Sequence, residues 1–230
     1  SFSEQFSLIG GDTTNYVIEV QGTDKAGSSG GYAIKLNETH PATDRDKVRV
    51  EAEKLTEEGM QILITARSHE SRLEAVDKFQ RSAAFWRTAK DNGREAGSLY
   101  LLSYSYSELS EYQKAYDTAE RALPLAQAAG ERGLEAWLRD QMGSAYDGLG
   151  ESKKALDCFL QALEVRKSVK DPVALGNTLN NLGRTYWAMG DLQQSLYYLE
   201  QVPPLMREMR DRLKESTVLG NVCVIHGELG

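Results

Sequence analysis

LLSYSYSELSEYQKAYDTAERAL from Leu101, QMGSAYDGLGESKKALDCFLQAL from Gln141 and NLGRTYWAMGDLQQSLYYLEQV from Asn181 align without a gap. A small residue stands at Ser103, Gly143 and Gly183, an aromatic at Tyr106, Tyr146 and Tyr186, and a turn residue at Ser110, Gly150 and Gly190. A second small column holds Ala115, Ala155 and Ser195. A large apolar column holds Phe159 and Leu199 but shrinks to Ala119, and Ala122, Ala162 and Val202 follow. The step is 40 residues each time, and the connecting segments keep it: KDNGREA from Lys90, GERGLEA from Gly130, KDPVALG from Lys170 and RDRLKES from Arg210. A fixed period of this size marks stacked repeats. Counting back by the same step gives Leu63, Ala66, Glu70, Ala75, Phe79 and Ser82, and counting forward gives Cys223, His226 and Gly230.

Within each copy the apolar residues recur at helical spacing, so one unit predicts two helices, each with a buried stripe, joined by a tight turn. A small residue lets the first helix approach the second, the tyrosine fills the space beside it, and a turn glycine supplies backbone freedom. The expected fold is mainly α, an α-α superhelix of helical hairpins sharing one apolar interior. These residue types, in this order, resemble the tetratricopeptide repeat family over residues 46–230. The units expected are 50–92, 93–132, 133–172 and 173–212, with a half unit at 213–230. The first unit departs from the pattern, with Leu63, Ala66 and Glu70 where Gly, Tyr and Gly are expected, and reads as an atypical end unit. The half unit stops in its turn, so the chain reads as a fragment of a longer protein with further repeats. Pro124 and Pro204 share a column inside second helices, where each removes a backbone donor and predicts a bend.

Residues 1–45 read differently. QFSLIG, NYVIEVQ and GYAIKLN are short and rich in β-branched or aromatic residues, and glycine-rich stretches separate them, which predicts a small antiparallel β segment and linker. Pro41 ends it, and Thr43 or Asp44 is positioned to cap the first helix. With the phrase PATDRDKVRVEAE, this stretch resembles the junction between a truncated β-sandwich and a tetratricopeptide array in bacterial multidomain proteins. Such arrays often lead into a caspase-like CHAT peptidase domain. The resemblance implies that any peptidase would lie beyond Gly230, and no catalytic residue carries over.

Composition narrows the function. The chain of 230 residues is 40% hydrophobic and 27% charged, with a formal charge of −7, which disfavours nucleic acid as a partner. No apolar run is long enough for a membrane span. Cys158 and Cys223 show no metal-ligand spacing and read as small buried residues; unpaired, they lean towards a reducing cytoplasm. Cys223 and His226 occupy packing columns, while His40 and His69 fall in the linker and in a turn. The glycines of LIGGD and AGSSGGY lack the following helix and lysine of a phosphate loop. No enzyme, metal or cofactor motif emerges.

The resemblance places the binding surface on the concave side, built by first helices. It implies a partner-binding groove of Tyr100, Tyr104, Trp137, Asp140, Ser144, Asn177, Asn180, Asn181, Arg184 and Trp187, with Gly97, Ser107 and Asp147 completing the columns. Asparagine offers both donor and acceptor to a peptide backbone, and arginine can grip a carboxylate with two bonds. The expectation is an interaction scaffold for a protein or peptide ligand. The alternatives are the regulatory arm of a peptidase and self-association through β-edges or the uncovered half repeat.

Overall fold

The computed structural model describes the backbone of residues 3–9, 14–22, 32–41, 43–169 and 171–229, and side chains from residue 43 onward within these ranges. Three strands, β1 (Ser3–Ile9), β2 (Thr14–Gly22) and β3 (Tyr32–Pro41), pair antiparallel in that order. Helices follow: α1 (Asp44–Thr65), α2 (His69–Thr88), α3 (Asn92–Glu108), α4 (Tyr112–Ala129), α5 (Arg132–Gly148) and α6 (Ser152–Arg166). The chain continues with α7 (Pro172–Ala188), α8 (Leu192–Leu199), α9 (Val202–Glu208) and α10 (Arg212–Leu229). Thr43 caps α1, accepting from the Asp46 amide while the Asp46 carboxylate takes the Thr43 amide.

Consecutive helices pack as hairpins, and α3 also meets α5 while α5 meets α7. First helices therefore form one wall of the array and second helices the other. The small column is what permits close approach: a Cβ on Gly143 would meet the Phe159 ring at 2.6 Å, and one on Gly183 would collide with Leu199. Where Ser103 replaces glycine, its hydroxyl donates to the Ala115 carbonyl at 2.6 Å, and in the last complete unit Ser195 donates to the Gly183 carbonyl at 2.8 Å.

The first unit holds the same contact at a shifted place. A Cβ on Gly59 would meet the Phe79 ring at 2.7 Å, so Gly59, not Leu63, is the small position of α1. The contact pair of this unit is 20 residues apart instead of 16; the connecting turn is three residues long as elsewhere, so the four extra residues, about one helical turn, lie in the helices themselves and the fixed step breaks there. His69 accordingly opens α2 instead of lying in the turn.

Six of the turns are built alike. Lys90, Ser110, Gly130, Gly150, Gly190 and Arg210 have positive φ, and the next residue's amide returns to a carbonyl five residues earlier, as Glu111 to Tyr106 at 2.9 Å and Glu151 to Tyr146 at 2.8 Å. This is the Schellman closure of a helix C-terminus.

The two prolines act differently. The second helix of the fourth unit divides into α8 and α9 at Glu200 and Gln201, just ahead of Pro203 and Pro204. Helix α4 runs without a break through Pro124. A lone proline removes one intrahelical bond, whereas adjacent prolines remove two in succession and open the helix.

Buried apolar residues group into clusters along the array, two of them bridged by Leu163 and Tyr198. Phe79, Leu99, Leu102 and Leu138 lead the first, Phe159 and Leu182 another, and Leu179, Leu199, Met206 and Ile225 a third. Each such side chain contributes about 1.5–3 kcal/mol on burial. Charged side chains interrupt them where α5, α6 and α7 meet, at Asp140 and Arg166.

Candidate functional site

All ten expected groove residues lie on α3, α5 and α7, the first helices, which touch one another along one wall of the array. Their surroundings differ along the array. On α3 and α5, the Tyr100 ring lies 6.2 Å from Trp137, both half-buried, and burial with the nearby Asp140 carboxylate pushes the Tyr100 hydroxyl up to about 12. Tyr104 is 40% exposed, and its hydroxyl is raised by partial burial and by Glu108. Ser144 is half-buried.

Asp140 is not open to a ligand, contrary to its expected place in the groove. It is 5% exposed, and its Oδ2 accepts from Arg166 Nη2 at 2.8 Å and from Thr178 Oγ1 at 2.9 Å, with Arg166 Nε 3.1 Å from the same threonine oxygen. The guanidinium carbon of Arg166 sits 4.3 Å over the Trp137 ring. The cause is Arg166, which enters from the end of α6 at a column otherwise occupied by Trp86, Ala126 and Met206, all buried. Its charge needs a counter-ion in that environment, and Asp140 turns inward to supply it. Burial still dominates at Asp140, raising its carboxyl to about 6 against the pull of Arg166 and Thr178. The tie joins α5, α6 and α7. Groove columns on first helices do not reveal it; an arginine in an apolar column was the available signal.

The α7 segment is the open part. Asn180 and Asn181 are half-buried and their side chains make no hydrogen bond among the described residues; Arg184 is exposed and makes no ion pair among them. Asn177 accepts from Lys214 at 3.3 Å, which brings a second cation from α10 to the same wall. Half-buried Trp187 donates to Glu228 at 3.1 Å. Neither Lys214 nor Glu228 was among the expected residues, since both come from the half unit. The arrangement offers amide donors and acceptors beside two cations, suited to a peptide backbone with a carboxylate nearby.

The other candidates resolve into packing or surface. Cys158 is buried, and burial pushes its thiol up to about 11. Cys223 is exposed, against the expectation that both cysteines are buried, because no helix covers that side of α10 among the described residues. His226 lies 3.4 Å from Glu200, and His69 is exposed. His40 and the glycine-rich turns fall outside the residues with described side chains. No group of three or more metal-ligating residues forms among the described residues, and no described helix is long and apolar enough to cross a membrane.

A family profile described as Tetratricopeptide repeat matches residues 94–168 and 140–208, together half of the chain. Solved structures of similar fold include a Rap protein complexed with Competence and Sporulation Factor, at 14% identity and a TM-score of 0.66, covering 79% of this chain and 50% of that one. Aspartyl phosphate phosphatase F from Bacillus subtilis is 18% identical, with a TM-score of 0.68 and coverage of 81% and 48%. The nearly identical TPR-like repeats related to kinesin light chain from Podosopora anserina give 14% identity and a TM-score of 0.55, covering 82% of this chain and 98% of that one. The chain thus spans about half the length of the first two. At these identities the likeness is one of fold. No curated protein matches the sequence.

Proposed function

The chain belongs to the tetratricopeptide repeat family, and on that premise we propose that it is a non-enzymatic scaffold holding a peptide or protein partner against its inner wall. It serves as part of a larger bacterial protein, in the cytoplasm. The observation that carries this reading is the open cluster of Asn180, Asn181 and Arg184 on α7, polar groups presented without a partner of their own among the described residues. Tyr104 and the Tyr100–Trp137 pair extend the surface towards α3, and such aromatics give contact area at low entropic cost. The bound segment runs along α3, α5 and α7 and places an acidic group at Arg184. That a fold neighbour was solved complexed with Competence and Sporulation Factor supports partner capture by this architecture.

The test is affinity capture with the intact chain against the Asn180→Ala/Arg184→Ala variant. Loss of a captured species on substitution is the expected result, and an unchanged profile would remove the reading.

A second reading makes the array the regulatory arm of a CHAT-type peptidase, with residues 1–45 the end of a β-sandwich and residues 46–230 the array. The phrase PATDRDKVRVEAE supports it. It requires a His and Cys catalytic domain in the reading frame after Gly230, so a stop codon soon after that residue would exclude it.

A further inference from the structure

The connection between α9 and α10 gathers arginine. Arg207, Arg210 and Arg212 line a cavity of about 320 Å³ there, together with one acidic residue, Glu215. Among the joints between units, only this one has arginine at all three of these columns; the others have Asn92, Gly130 or Pro172 at one of them. The chain as a whole carries a formal charge of −7, so cations collected in one concavity run against its average.

The turn holds these side chains in a fixed frame. Arg207 donates from Nε and Nη2 to the same oxygen, Glu215 Oε1, at 3.0 and 2.7 Å, which anchors one edge of the guanidinium and leaves Nη1 without a hydrogen bond among the described residues. Arg210 takes a left-handed position, φ 58°, that three other turns give to glycine. The Asp211 amide donates back to the Met206 carbonyl at 2.9 Å, so the backbone that carries the arginines is closed. Arg210 and Arg212 are exposed and make no ion pair among the described residues. The other acids of the stretch, Glu208 and Asp211, do not line the cavity, and Asp211 accepts from the Lys214 amide at 3.0 Å. Three guanidiniums against one carboxylate leave two positive charges uncompensated.

We propose that this cavity binds a phosphate monoester as its dianion. Above its second pKa of about 6 such a group brings a charge of about −2 and three acceptor oxygens, which matches the two uncompensated charges and offers one oxygen to each arginine. Guanidinium suits it better than ammonium, because its planar fork meets phosphate oxygens in pairs. A carboxylate brings one charge and two oxygens, and so leaves one cation unmatched. A phosphorylated side chain of a protein and free inorganic phosphate share this chemistry. The proposal is independent of ligand capture by α3, α5 and α7, since none of its residues belongs to that groove.

The test titrates the full chain with inorganic phosphate at constant ionic strength and follows the Nε–Hε signals of Arg207, Arg210 and Arg212 by NMR, with acetate as the monovalent control. Saturable shifts with phosphate, about tenfold or more tighter than any with acetate, are expected. Arg210→Gln with Arg212→Gln should weaken phosphate binding by about tenfold or more without moving the Tm, since both side chains are exposed. O-phosphoserine should bind about fivefold or more tighter near pH 7 than near pH 5, because the dianion forms across that window while arginine keeps its charge. A phosphoserine peptide library, set against its unphosphorylated counterpart, separates the sources. Phosphopeptides bound more tightly than inorganic phosphate would identify a phosphorylated partner, and binding confined to inorganic phosphate would identify the free ion; both outcomes support the site. Equal response to acetate and phosphate, unchanged phosphate binding in the double variant, or O-phosphoserine binding that ignores pH would overturn the proposal.

Discussion

Arg166 shows how one residue can reassign another. A cation in a column of Trp86, Ala126 and Met206 draws Asp140 out of the groove, and the pair then carries its desolvation cost inside the array. The direction at Asp140 follows. Its carboxyl is raised from 3.8 to about 6, chiefly by burial, so between these values the folded state holds more protons than the unfolded one. Stability from this group is therefore greatest below about pH 4 and is lost as pH rises to 6, by on the order of 3 kcal/mol. Urea unfolding of wild type and Asp140→Asn from pH 4 to 8 checks this: the wild type should carry an extra fall across that window which the variant lacks. The pair itself is tested by replacement. Arg166→Ala alone should cost about 3–5 kcal/mol by leaving Asp140 uncompensated, whereas Arg166→Met with Asp140→Leu should be neutral or stabilising by about 1–4 kcal/mol. Sequence columns located the wall residues because the helical face repeats with the period. They missed the inward turn of Asp140 because it depends on a side chain from another helix.

A single acidic residue joins successive elements at seven places twenty residues apart: Asp91, Glu111, Glu131, Glu151, Asp171, Asp191 and Asp211. At six of them its amide closes the helix before it, and each stands immediately ahead of the next helix. The aspartates also cap: Asp91, Asp171, Asp191 and Asp211 each accept from the amide three residues on, while Glu111, Glu131 and Glu151 make no side-chain cap. One extra methylene carries the glutamate oxygen past the amide. Glu131→Asp should therefore stabilise the chain by about 0.5–1 kcal/mol, read as a rise in Tm, and no change would mean that the backbone at this position forbids the cap. Glu131 suits the test because Glu111 and Glu151 are engaged by Lys114 and Lys154. Hairpin register was readable wherever the spacing between the contact residues is constant. It slipped in the first unit, where Gly59 and Phe79 keep their contact between longer helices, because a fixed step cannot see an added turn of helix.

Stability of a stacked array is approximately the sum of its units and their nearest-neighbour joints, so the weakest joint decides where it opens. Three joints between units share a clamp eight residues wide: Arg87 to Glu95 at 2.8 Å, Gln127 to Glu135 at 3.1 Å and Arg207 to Glu215 at 2.7 Å. At the α6–α7 joint the same columns hold Lys167 and Leu175, which cannot pair, and Lys167 bonds Glu164 in its own helix. The Schellman closure is also replaced: the Asp171 amide donates to the Val169 carbonyl at 3.0 Å, where its counterparts reach five residues back. What crosses this joint is the Asp140–Arg166–Thr178 tie and the apolar contact of Phe159 and Leu182. Two devices present at the other joints are thus absent at one, and local opening follows the count of such bonds. In native-state hydrogen exchange the amides of Ser168, Val169 and Asp171 should exchange well ahead of Thr88, Ala89 and Asp91 or Ala128, Ala129 and Glu131. Arg166→Met should widen that gap by removing the tie. Uniform protection across all the joints would show that apolar contact alone sets their strength, with clamp and closure contributing nothing measurable.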